Sequence, residues 1–286
     1  MPTPISAKNT VSISPRRMKV TIELYQSHHS TCSQKVRITL AEKGLPEKDK
    51  DWIAHEINLG KFEHLTPEYL KINPNGVVPT MIHDGSVLIE SSAIVEYLDD
   101  VIPDNPMSPE DPVARAGMRA WMRYIEEVPT PAVRVPTFAN MLAPARYLEY
   151  SDEEFATHAD RLPLRKRFYQ RMTQKGFGEA DVNYAKEQIR QTCERIDRDI
   201  SANGGPWIMG EQFTLADALV ASLIDRMDDL GYTYLWEGDL PAMEEWFANL
   251  QARPSFQAAF YSGAKISERY PEVYRTAREI EAERGY

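Results

Sequence analysis

Hydrophobic periodicity changes once along this chain, at a proline-punctuated stretch, and that change decides what it can fold into. Before the change, residues 19–25 (KVTIELY) alternate apolar and polar side chains, the pattern of a half-buried strand. Residues 51–59, 77–83 and 86–89 read as three more strands. Asp84-Gly85 between the last two is a hairpin signal, because such a turn needs residues that accept positive φ. Helical patterns fill the gaps. Residues 34–45 place Val36 and Leu40 on one face, and Gly44 suits the left-handed position that ends a helix. Residues 67–72 form a short helical turn, and residues 91–101 put Ile94, Leu98 and Val101 on one stripe. The order is β-α-β-α-β-β-α.

Pro103, Pro106, Pro109 and Pro112 then punctuate IPDNPMSPEDP, which cannot continue a helix and reads as a linker. Beyond it helical stripes dominate: Ile189, Cys193, Ile196 and Ile200, then Val220, Leu223, Ile224 and Met227. Thr214-Leu215-Ala216-Asp217 opens the second stripe as a capping box, with Asp217 as its structural cap. We expect a disordered leader at 1–17, an α/β domain at 18–102, a linker at 103–111 and an all-helical domain at 112–286.

Apolar residues make up 42% of the chain and charged residues 27%, enough to build a real core. The net charge of −10 argues against a nucleic-acid binder, which would show a basic face. No apolar run has the length of a membrane span, so no membrane partner is expected. Cys32 and Cys193 are too few and too far apart for a disulfide framework; a reducing, cytoplasmic setting is the simpler reading. The leader carries Arg16-Arg17 without an apolar segment behind it, unlike a signal peptide. The histidines show no metal-binding spacing, so no metal is expected.

Three local motifs follow in fixed order: Ser30-Thr31-Cys32-Ser33-Gln34-Lys35-Val36-Arg37, Asn73-Pro74-Asn75-Gly76-Val77-Val78-Pro79-Thr80, and Glu90-Ser91-Ser92-Ala93-Ile94-Val95-Glu96-Tyr97-Leu98. Together they resemble the glutathione transferase superfamily. The resemblance implies a thioredoxin-like N-terminal domain, a C-terminal helical bundle, glutathione as cofactor, a small hydrophobic second substrate, and a homodimer. The stretch from Ser30 to Arg37 is similar to the zeta class, and its Ser-x-Cys-Ser pattern is shared with reductive dehalogenases. Residues 71–74, 83–85, 151–155 and the long insert at 149–187 are similar to bacterial glutathione-dependent β-aryl etherases.

The glutathione thiolate is the nucleophile of such an enzyme. A hydroxyl ahead of the first helix can donate to it, aided by the positive helix end. The zeta-like alignment puts that hydroxyl on Ser30 and the etherase-like alignment on Ser33; otherwise Ser33 only caps the helix and Ser30 is a polar turn residue. Thr31 lies between them in the same binding set. The resemblance places a cis proline at Pro79, leaving the Val78 N–H and C=O for the cysteinyl backbone; the alternative is an ordinary edge strand. Ser91 at a helix start suits the γ-glutamyl carboxylate and Glu90 its ammonium. By analogy Lys61 and His64 meet the glycyl carboxylate, or form a solvated surface pair. Cys32 attacks a glutathione adduct in the dehalogenase-like branch, or is a small packed side chain. Met118, Trp121, Met122, Phe138, Met141, Tyr147 and Tyr150 are either walls for a bulky aromatic electrophile or core. The leading expectation is β-aryl ether cleavage. The others are a maleylacetoacetate-type isomerase, a reductive dehalogenase, and a binding protein of this fold without turnover.

Overall fold

A computed structural model describes residues 21–173 and 176–284. The expected leader, and Lys19 and Val20 of the first expected strand, lie outside the described residues. The first strand, β1 (Ile22–Gln26), buries Ile22, Leu24 and Gln26 in alternation, as its period-two pattern requires. Helix α1 (Thr31–Glu42), strand β2 (Ile53–Glu56), helix α2 (Pro67–Ile72), strands β3 (Thr80–His83) and β4 (Ser86–Ile89), and helix α3 (Ser91–Val101) follow. The sheet runs β2-β1-β3-β4, with β1 parallel to β2 and antiparallel to β3. Asp84 and Gly85 both take positive φ, 48° and 82°, and close the β3–β4 hairpin. This is the thioredoxin-like domain expected above.

Two strands are shorter than their sequence patterns. Strand β3 begins at Thr80 rather than at residue 77, because Pro79 has no N–H to offer a ladder. Strand β2 spans only Ile53–Glu56, at the sheet edge, with both faces partly exposed. Helix α1 starts at Thr31, earlier than the apolar pattern from residue 34 indicated. Gly44, at φ 79°, follows its end as expected.

Residues 102–111 join the two halves without helix or strand. Helix α4 (Pro112–Glu127) opens with Asp111 accepting from the Ala114 N–H at 2.7 Å and Pro112 in the first turn. Helix α5 (Pro129–Thr137) runs through a π turn (Phe138–Leu142) into α6 (Ala143–Arg146). Short helices α7 (Asp152–Ala159) and α8 (Lys166–Tyr169) occupy the insert, followed by the long α9 (Glu179–Asn203). Helix α10 (Leu215–Asp229) is the buried axis, and α11 (Pro241–Gln251), α12 (Pro254–Ala259), α13 (Ile266–Arg269) and α14 (Ala277–Arg284) complete the domain. Ile189, Cys193, Ile196, Val220, Leu223, Ile224 and Met227 are all buried in its core. The Asp217 carboxylate is fully buried and accepts from the N–H groups of Ile208 and Thr214, the Thr214 hydroxyl and the Trp246 indole, at 2.9–3.0 Å.

Helix α1 docks the domains. One side packs on α3, the other on α10 and α12, so residues 33–40 are buried all round. Its polar groups are buried with partners: Lys35 donates to Glu126 at 2.7 Å, and Arg37 to Gln26, His28 O and Ala259 O at 2.7–3.0 Å.

Candidate functional site

The turn from β1 into α1 brings the first motif to the domain boundary. Ser30 is the N-cap: its Oγ accepts from the Ser33 N–H at a long 3.4 Å, leaving the hydroxyl proton free to donate elsewhere. Ser33 is not the cap that the sequence suggested. It lies inside α1, fully buried, and its Oγ accepts from the Ser27 N–H at 3.3 Å. The local reason is that Thr31, Cys32 and Ser33 already form the first turn, although no apolar residue there announces it.

The second motif is a rigid loop. The Asn73 amide donates to Val77 O at 3.0 Å and Thr80 Oγ1 at 2.9 Å, and the Tyr69 hydroxyl donates to Val77 O at 2.7 Å. Burial pushes the Tyr69 phenol up to about 12, so it stays a neutral donor. Gly76, at φ 58°, passes where a Cβ would come within 3.0 Å of Leu65 and 3.1 Å of Pro163. The Val78-Pro79 bond is cis. No described residue bonds to the Val78 N–H or C=O, although Val78 is buried.

At the third motif Glu90, not Ser91, holds the N-cap position of α3, in the left-handed region at φ 70°. A non-glycine residue there is unusual and strained. Its exposed carboxylate faces the Asn75 amide at 3.4 Å. Ser91 is the first helical residue and is buried.

A cavity of about 180 Å³ opens between the domains. Ser30, Thr31, Cys32, His64, Val77 and Val78 line one side, and Val133, Arg134, Thr137, Phe138, Phe168 and Tyr169 the other. Ser33, Lys61, Pro79, Glu90 and Ser91 do not line it. Lys61 is exposed, whereas His64 is buried at 3% exposure, which lowers its pKa to about 4 and keeps it neutral. Its Nδ1 has no partner among the described residues. The loop carrying both is fastened from the helical domain. Phe62 stacks on His158 with centroids 4.2 Å apart, Tyr150 donates to Gly60 O at 3.2 Å, and Arg161 to Leu65 O at 2.8 Å.

Of the side chains expected to meet an aromatic electrophile, Phe138 and Tyr150 reach the cavity. Met118, Trp121, Met122 and Met141 are core instead, at 0–4% exposure, and Tyr147 does not line the cavity. Sequence reasoning missed Phe62, Phe168, Tyr169, Arg134, Arg165 and Arg226. The adjacent aromatics Phe168-Tyr169 and the single arginine within PTPAVRVPT were the available signals. Arg226 is buried and donates to His29 O, beside which His29 stays neutral, its pKa lowered by burial to about 3.

The sequence matches the Glutathione S-transferase, N-terminal domain over residues 29–101 and the Glutathione S-transferase, C-terminal domain over residues 154–254, together well over half the chain. It is 29% identical to Protein LigF of Sphingobium sp. (strain NBRC 103272 / SYK-6) over 84% of this chain and 93% of that protein. The crystal structure of beta-etherase LigF superposes with a TM-score of 0.74 at 27% identity, covering 84% of this chain and 98% of that one. Tetrachloro-P-hydroquinone reductive dehalogenase of Sphingobium chlorophenolicum is 25% identical over 83% of this chain and 95% of that protein. Maleylacetoacetate isomerase of Pseudomonas aeruginosa is 41% identical, over only 34% of this chain and 45% of that protein. The chain belongs to the glutathione S-transferase family and is an enzyme that uses glutathione.

Proposed function

We propose that this enzyme cleaves β-aryl ethers, and that Ser30 activates the glutathione thiol. The observation that carries the reading is the Ser30 hydroxyl on the wall of a cavity whose other wall holds Phe138, Phe168 and Tyr169. The likeness to LigF over nearly the whole of both chains supports it. In this scheme α3 receives the γ-glutamyl group through Glu90 and Ser91. The free Val78 N–H and C=O pair with the cysteinyl backbone as an added strand. His64 and Lys61 meet the glycyl carboxylate, and Thr31 borders the tripeptide. Ser30 donates to the thiolate at the start of α1. The thiolate attacks the carbon that bears the aryloxy group. A C–S bond forms, the C–O bond breaks, and the phenolate leaves with the bonding pair and takes a proton from water.

Cys32 lines the same cavity and supports a second reading, a dehalogenase- or isomerase-type reaction in which it attacks a glutathione adduct. The test is a synthetic β-aryl ether whose phenol is fluorescent. Etherase activity requires phenol release matched one-to-one by thioether, and retained in Cys32→Ala. No release, alongside Cys32-dependent turnover of a chlorinated hydroquinone or maleylacetoacetate, overturns the etherase reading. The family reading also carries a cytoplasmic homodimer, which sedimentation equilibrium tests as to assembly.

A further inference from the structure

The cavity holds more positive charge than a neutral electrophile has use for. Four arginines line it: Arg134, Arg146, Arg165 and Arg226. Two of these are committed. Arg146 donates to Met172 O, Tyr150 O and Asp152, and Arg226 to His29 O. Neither the Arg134 nor the Arg165 guanidinium has a hydrogen bond or ion pair among the described residues. Arg134 is partly buried on α5, and its pKa is lowered first by that burial and then by Arg165. Cys32, Tyr169 and, after them, Glu126 act on Arg134 in the opposite sense, but Glu126, the one carboxylate of the three, is bound to Lys35 at 2.7 Å. Glu149, the one acid among the described lining residues, acts on Tyr150 and Tyr270 and pairs with neither arginine.

Arg165 reaches the cavity from the insert, held in the left-handed conformation at φ 62° where α8 begins. Tyr169 stands in the field of both arginines, its hydroxyl without a partner among the described residues. Burial raises its pKa despite both cations, so the phenol keeps its proton as a donor.

A partly buried guanidinium such as Arg134, without a carboxylate of its own, is costly, and an anion arriving with the ligand offsets that cost. Two planar forks and a hydroxyl match the two oxygens of a carboxylate, while Phe138 and Phe168 beside them suit an aromatic ring. Resting on the transferase reading above, we infer that Arg134, Arg165 and Tyr169 form an anion subsite and that the second substrate is an aromatic electrophile carrying a carboxylate.

The probes are 4-chloro-3,5-dinitrobenzoate and its methyl ester. In both, glutathione displaces chloride: a C–S bond forms, the C–Cl bond breaks, and chloride leaves with the electron pair. With each rate divided by its uncatalysed rate, kcat/KM should favour the acid about tenfold, a modest charge-assisted contribution, with the difference in KM. That ratio should fall towards one in Arg134→Met and Arg165→Gln, and Arg134→Lys should restore part of it. Arg165 sits on an exposed turn, so its variant keeps the test open if Arg134→Met does not fold. A ratio near one in the wild type, or one that neither variant moves, overturns the subsite. So does a loss confined to kcat and equal for acid and ester, which would assign the arginines to the leaving group. If neither probe turns over, transfer to aryl chlorides fails without bearing on the subsite. Calorimetric titration with 3,5-dinitrobenzoate then decides the subsite: binding weakened by both variants supports it, and no binding overturns it.

Discussion

The Lys35 ammonium, fully buried on α1, lies 2.7 Å from the Glu126 carboxylate at the end of α4 and so ties one domain to the other. It also donates to Thr130 Oγ1 at 3.2 Å. Removing Glu126 strands a cation that water cannot reach. We expect Glu126→Ala to lose roughly 2–4 kcal/mol, somewhat below a fully buried pair because Glu126 is partly exposed. A urea denaturation midpoint that scarcely moves would show that the pair contributes nothing.

Ser30 and Ser33 should separate cleanly. Ser30→Ala removes a donor to the bound thiolate and should raise its pKa by about one to two units, the equivalent of one charged hydrogen bond. Ser33→Ala leaves the Ser27 N–H without its partner and should lower stability by about 1–3 kcal/mol while the thiol pKa holds. Thiolate absorbance against pH with bound glutathione reads both. A pKa shift in Ser33→Ala alone would reverse the roles.

How far the sequence reveals this molecule depends on how local each signal is. The β3–β4 hairpin was legible because Asp84-Gly85 and the alternation on either side are adjacent in the chain. The start of α1 was not, because its first turn is polar and its burial comes from helices far along the chain. Ser30 and Val78 were visible as motifs. Arg134, Arg165 and Tyr169 were not, since only the folding of α5 and the insert onto one cavity makes them neighbours. His64 was named from the motif, but its burial in the loop under Phe62 and His158 was not legible, because His158 lies far along the chain.

That burial gives stability a pH dependence. The folded pKa of His64, about 4, lies below its ordinary value of 6.5, so the unfolded chain binds more protons between these two values. Stability should therefore fall as the pH drops from 6.5 towards 4, by up to about 3 kcal/mol from this residue. His29, lowered to about 3, acts in the same direction. Unfolding free energies of wild type and His64→Phe across this range give the contribution; an identical slope in both would assign it elsewhere.

Asp217 accepts four hydrogen bonds in a fully buried site. Asp217→Ala orphans two buried N–H groups and an indole and should cost roughly 3–5 kcal/mol, with Asp217→Asn in between. Thermal unfolding followed by tryptophan fluorescence measures it. A variant as stable as the wild type would mean that water replaces the carboxylate.

The loop that carries Lys61 and His64 belongs to the first domain by sequence but is clamped by the second through His158, Tyr150 and Arg161. The thiol-donor site is thus not a portable part. A chimera that joins this N-terminal domain to a relative's helical domain would inherit the strands and the Val78 loop, yet lose the shape of the wall around His64. Altering the insert to admit a new acceptor would loosen the grip on the donor as well, so the two specificities have to be inherited, and engineered, as a pair.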